Sequence, residues 1–162
     1  MHARAACRLE TLGFDPVYRY APGNADWRAM GWPTEGQNAH TLRAHHAVTR
    51  DVPTCAVDDP VSVAAQRATR AGVGACIVVD PARIVLGRLR GRALIPDDHR
   101  PAEAVMENGP TTTRADDDLA AVIDRMTRRN VTELLVTDPD GKLIGILHRG
   151  EAERVLHDGT SN

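Results

Sequence analysis

The chain has 162 residues, 42% of them hydrophobic, and a formal net charge of −2 from 20 basic and 22 acidic side chains. That length holds one compact core plus an appendage but not two full-size domains, which run about 100–200 residues each. The near-neutral balance excludes capture of nucleic acid or an anionic membrane through a global field; no apolar run approaches the ~18 residues of a membrane span and no signal peptide opens the chain, so a cytoplasmic protein is expected.

Residues 3–12 carry a helical pattern in which Ala5, Ala6, Leu9 and Leu12 are apolar before Gly13. Cys7 falls inside it and is expected to face a core. Val17-Tyr18-Arg19-Tyr20 reads as a strand. All five aromatic residues, Phe14, Tyr18, Tyr20, Trp27 and Trp32, lie in the first 32 positions, so the chain changes character near residue 35. Two exposed tryptophans would be sticky, and their burial is expected. A polar linker follows, bounded at 37–46. Its histidines, His40, His45 and His46, lack metal-ligand spacing and read as solvated loop residues. Cys7, Cys55 and Cys76 are odd in number and widely spaced among apolar neighbours, which suits reduced core residues. Nineteen of the twenty basic residues are arginine, with Lys142 the exception, a bias associated with GC-rich bacterial genomes.

From residue 47 the sequence repeats. A shift of 58 places lays Asp59 on Asp117, Arg67 on Arg125, Thr69-Arg70 on Thr127-Arg128, Asp80-Pro81 on Asp138-Pro139, Gly87 on Gly145 and Leu89 on Leu147. One register change near Pro53 and Pro110 aligns Ala47-Val48 with Ala104-Val105. Each half then reads as a short extended piece (54–57; 112–114), a helix capped by Asp59 or Asp117, a stop at Gly72 or Asn130, and two strands closing a hairpin over Asp80-Pro81 or Asp138-Pro139. A closing helix is expected at 151–156. One such unit is marginal alone, whereas two packed through their sheets share a core.

The run Ala-Val-Thr-Arg-Asp-Val-Pro-Thr at 47–54, Ala-Val-Met-Glu at 104–107 and the Gly-apolar-apolar ends at Gly87 and Gly145 resemble a tandem CBS-domain pair over about residues 44–157. The resemblance implies an α/β (α+β) fold of two β-α-β-β-α units, repeat 1 at 47–102 and repeat 2 at 103–162. The segment from Arg4 to Phe14, with Val17-Tyr18, Gly23, Asp26-Trp27, Gly31 and Pro33, resembles the C-terminal end of rhodanese sulfurtransferases, which sets a remnant at 1–36. The family's active-site loop and nucleophilic cysteine would precede this segment.

CBS pairs commonly bind adenosine nucleotides between their repeats, and the resemblance implies a regulatory role rather than catalysis. Family sites often end Gly-apolar-apolar-Thr-x-x-Asp. Here Arg90 and Ala93 stand for threonine and aspartate in the first repeat, and His148 and Glu151 in the second. Arg90, Arg92, Thr111, His148 and Glu151 are the expected ligand-binding residues, with AMP, ADP or ATP as bound ligand and no metal or catalytic residue. Any base would lie among aliphatic side chains such as Val52, Val105 and Ile146. Arg88, Arg90 and Arg92 alternate, so on one extended strand they share a face; this is a phosphate or acidic-partner patch, or a solvated edge that deters aggregation. Two functional readings stand close together, a ligand-responsive regulatory module and a dimerisation scaffold that has lost its ligand. Part of a sulfurtransferase is the third. A homodimer is expected, with Val122 and Met126 as candidate contacts.

Overall fold

The computed structural model describes residues 2–18, 20–36 and 40–160. In chain order these form α1 (His2–Thr11), α2 (Asn24–Ala29), β1 (Val48–Thr49), β2 (Thr54–Cys55), α3 (Val61–Arg70), β3 (Ala75–Val79), β4 (Val85–Arg90), β5 (Glu107–Asn108), β6 (Thr112–Arg114), α4 (Leu119–Arg128), β7 (Glu133–Thr137), β8 (Leu143–His148) and α5 (Arg149–Thr160). Two four-stranded sheets result, ordered β2-β3-β4-β5 and β1-β8-β7-β6.

The first strand of each repeat is exchanged. β1 pairs with β8 through Thr49 and Ile146, and β5 pairs with β4 through Glu107 and Arg88. The 58-residue shift carries each pair onto the other, so it holds unchanged through this region and the register change at Pro53 and Pro110 is corrected. Close crossing at these strands depends on Gly145 and Gly87. A Cβ on Gly145 would lie 2.2 Å from the Thr49 carbonyl oxygen, and one on Gly87 would lie 2.3 Å from Met106 Sδ. The repeats at 47–102 and 103–162 therefore do not coincide with the two spatial halves.

Side chains of each sheet alternate between two cores. Ile77 of β3 meets Leu135, Leu143 and Ile146, with Val52, Val79 and Val85 packed around them, and this cluster joins the sheets. Hairpin tips also bond to one another: Val85 N–H donates to the Gly141 carbonyl at 3.2 Å and Leu143 N–H to that of Arg83 at 2.9 Å. On the outer faces α3 buries Val61, Ala64, Ala65 and Ala68, and α4 buries Leu119, Val122 and Met126. Val122 and Met126 thus serve the chain's own core, which corrects their assignment to a dimer contact. Gly72 and Asn130 both take positive φ, 66° and 51°, after α3 and α4, as the substitution of one for the other implies.

Three further expectations are corrected. Asp59 and Asp117 do not cap their helices, since Pro60 and Asp118 occupy those positions. Instead each carboxylate pairs with an arginine eight residues on, Arg67 at 2.8 Å and Arg125 at 3.6 Å, tying helix to preceding strand. Second, repeat 1 has no counterpart of α5. Residues 91–93 form a 3-10 turn and the path to Pro101 is irregular, because Pro96 and Pro101 lack N–H donors and disfavour helix in the residue before them. Third, Val17, Tyr18 and Tyr20 are not in a strand, and Arg19 lies outside the described residues.

The aromatic head is partly docked. Ala29 is fully buried in the core of the second half with Ala44, Ala47 and Leu119. Ala44–Ala47, which includes the end of the expected linker, is a 3-10 turn whose Ala44 N–H donates to the Asp117 carbonyl at 2.9 Å. Tyr20, Trp27 and Trp32 pack edge to face with centroids 4.6–5.5 Å apart, and Trp27 Nε1–H donates to the Pro33 carbonyl at 2.8 Å. Burial is incomplete, with Trp32 44% exposed. Cys7 is exposed rather than core-facing.

Candidate functional site

The site grows from the open ends of the two hairpins. Arg90 at the end of β4 is the cross-strand partner of Ala75, and His148 at the end of β8 is the partner of Glu133. Cross-strand partners project on the same face. The shift of 58 makes Arg90 equivalent to His148 and Ala75 to Glu133. All four line one cleft of about 380 Å³ between the halves, whose apolar walls include Val73 and Ile146. That volume is within the range of small-molecule sites, about 300–1,000 Å³.

Its electrostatics are balanced. The Arg88 side chain, 11% exposed, donates from Nη1 to Glu133 at 3.2 Å and from Nη2 to Glu107 at 3.3 Å. Arg90 Nε lies 3.2 Å from the same Glu107 oxygen. Two guanidiniums therefore face two carboxylates. Arg88 Nε is buried without a hydrogen-bond partner among the described residues. The Arg88–Glu133 pair also bridges the two sheets, at a position where the equivalent residues, Ile146 and Ala75, are apolar.

Of the five expected binding residues, the structure brings together Arg90 and His148. Arg92 is exposed in the 3-10 turn beyond β4, so it does not continue the strand and the three-arginine face is corrected to Arg88 and Arg90 with their carboxylates. Thr111 is exposed between β5 and β6. Glu151, in the first turn of α5, is ion-paired with Arg154. Among the aliphatic residues, Val52 and Ile146 share the inter-sheet cluster, whereas Val105 packs in the core of the first half. Sequence reasoning missed Glu107 and Glu133. The signal for Glu133 was available: it opens a strand at the place where the other repeat has Ala75.

Elsewhere, Thr113, Asp117 and Arg125 line a cleft of about 360 Å³. Thr113 Oγ1–H donates to Asp117 at 2.6 Å, and Arg125 donates to Thr113 Oγ1 at 2.6 Å. The repeat places Asp59 and Arg67 alike, so this network has a structural role in both halves. Cys55 and Cys76 are buried on neighbouring strands, and the hydrogen bond between their thiols together with burial pushes Cys76 up from the ordinary thiol range. No group of three or more His, Cys, Asp or Glu suited to a metal gathers among the described residues, and no described helix is long and apolar enough to cross a membrane. The His45 and His46 rings lie tilted against each other with centroids 4.0 Å apart, the His45 ring is next to Gly31 of the head, and His40 is in a turn outside this pair.

Residues 102–158 match the CBS domain family. No curated protein matches the chain. Among solved structures, CBSX2 from Arabidopsis thaliana is similar with a TM-score of 0.64 and 19% identity, over 75% of this chain and 99% of that one. The cytosolic domain of the Mg2+ channel MgtE in complex with ATP gives 0.63 and 25%, over 72% and 50%. The CBS domain pair of protein MJ0100, in complex with 5′-methylthioadenosine and S-adenosyl-L-methionine, gives 0.59 and 16%, over 73% and 98%. The chain has the fold of a CBS pair.

Proposed function

We propose that this protein is a non-catalytic regulatory module that binds an adenosine ligand or related small anion in the cleft between its two repeats. The observation that carries the reading is the convergence of Arg90 and His148, equivalent positions of the two repeats, on one cleft with apolar walls. Similar folds hold ATP, or 5′-methylthioadenosine and S-adenosylmethionine. A bound ligand would touch both halves at once and so bias how they sit against each other. Within this reading the head, with its similarity to the end of a rhodanese domain, is a docking appendage, and the protein acts in the cytoplasm as a homodimer without nucleic-acid or membrane partners. Sedimentation of the full chain tests the dimer.

The experiment is the melting temperature with and without AMP, ADP, ATP or S-adenosylmethionine. A ligand at 100 times its dissociation constant stabilises by about 2.7 kcal/mol, a rise of several degrees. The reading expects such a rise with one of them and its loss in Arg90→Ala or His148→Ala. A flat response to all would favour the second reading, a ligand-free interaction scaffold. One observation supports that alternative: Glu107 already engages both Arg88 and Arg90.

A further inference from the structure

Building on the adenosine-ligand reading, we propose that Glu133 makes this cleft select adenosine ligands without net negative charge, so that a neutral or net-cationic 5′ substituent is bound in preference to a phosphate. Glu133 is the cross-strand partner of His148, so the two project from one face at the cleft's edge. Its carboxylate remains 30% exposed and accepts from Arg88 at only one oxygen in the described contacts, Oε1. Across the cleft Arg90 is half exposed and leans on Glu107 at 3.2 Å.

The arrangement is polar rather than positive. A phosphate reaching Arg90 and His148 meets Glu133 beside His148 and competes with Glu107 for Arg90. Like charges held close in a partly desolvated cleft repel more strongly than in bulk water. An α-amino-acid tail shares the competition with Glu107 when its carboxylate takes Arg90, but its ammonium takes Glu133 and turns that repulsion into attraction. A neutral thioether tail lies on Ile146 and Val73 and leaves the existing ion pairs in place. The repeat also shows that the acid is a local choice, because Ala75 holds the same position in the first half and leaves Arg90 without a carboxylate as its strand partner.

Isothermal titration of the full chain with 5′-methylthioadenosine, S-adenosylmethionine, AMP and ATP, at one pH and one ionic strength, tests this. The expected result is at least about tenfold weaker binding of AMP and ATP than of the other two, given the size of near-range charge repulsion. In Glu133→Gln the phosphorylated ligands gain about tenfold and S-adenosylmethionine loses affinity. Tighter binding of AMP or ATP by the unaltered protein overturns the charge selection while leaving the adenosine reading intact. An unchanged ranking in a folded Glu133→Gln protein overturns the role of Glu133. If none of the four binds, the adenosine reading falls and this inference with it. Should Glu133→Gln fail to fold, the ranking in the unaltered protein decides.

Discussion

The two repeats are built to one plan and filled with different side chains. In the first half α3 presents Val61, Ala64, Ala65 and Ala68 to a core of Cys55, Cys76, Val78 and Leu89; in the second α4 presents Leu119, Val122 and Met126, and α5 and the turn Ala44–Ala47 add to the cover. Each buried methylene contributes about 0.8 kcal/mol, so valine for leucine at Val61, and alanine for valine, isoleucine and methionine at Ala64, Ala65 and Ala68, leave the first half much less apolar area to remove from water. The missing helix after β4 removes more. Only the second repeat falls inside the family match, and that is the half whose side chains and closing helix are complete. Backbone plan and core filling are separate properties of a repeat, and duplication preserves the first more faithfully than the second.

The comparison sharpens at equivalent positions. Val61 and Leu119 are both fully buried at the start of their helices. Leu119→Ala is expected to cost about 3–4 kcal/mol and Val61→Ala about 1–2, from the methylenes lost and the cavities left. Urea midpoints of the two variants measure the gap, and equal losses would show the first half to be as demanding as the second.

The paired glycines come next. An added Cβ at Gly145 runs into the backbone carbonyl of Thr49, whereas at Gly87 the nearest atoms belong to the flexible side chain of Met106. Gly145→Ala should therefore cost about 2–3 kcal/mol and detach β1, while Gly87→Ala stays near 1, the range for overpacking that a side chain absorbs. Hydrogen exchange at Thr49 and Ile146 would report that detachment directly.

The smallest effect concerns the turn at 44–47, which has a histidine pair that the equivalent turn at 102–104 lacks. Burial, then the charge of His46, holds His45 below the ordinary histidine range, with Arg50 and Arg43 acting in the same sense, while the Nδ1–H bond to the Ala115 carbonyl at 3.1 Å opposes them. The folded state thus prefers the neutral ring. Its contribution is complete above the unfolded value of about 6.5 and is lost as pH falls from there toward the depressed folded value. Denaturation between pH 7.5 and 5 should show a steeper loss for the unaltered protein than for His45→Asn; parallel curves would remove His45 from the docking of the head.

Much of the fold was legible because the repeat checks itself. Helices, hairpins and the Gly72 and Asn130 stops each appear twice, so each half supports the reading of the other. The exchange of β1 and β5 was not legible, because two-residue strands carry no periodicity and their partners lie far away in sequence. Pro96 and Pro101 were visible, yet their cost to a closing helix was masked by the strength of the analogy. At the site, side-chain type suggested Arg90 and His148, but the carboxylates that neutralise the arginines come from β5 and β7, and nothing local ties Glu107 to residues 88–90. Arg92 was expected from strand alternation, and the chain turns away at Gly91 before that alternation can act; Glu151 was expected from the family resemblance, and α5 instead pairs it with Arg154.

The exchanged strands have a mechanical meaning. Residues 50–53 and 109–111 are the crossings through which each half hands a strand to the other. A chain cut at residue 110 yields a first piece with β1 but no sheet of its own to receive it and a second piece whose β8 edge is bare; the pieces regain their hydrogen bonds only by finding each other. Pulling the two halves apart therefore resembles opening a clasp rather than separating two beads, and the load falls first on the two crossings beside Gly87 and Gly145.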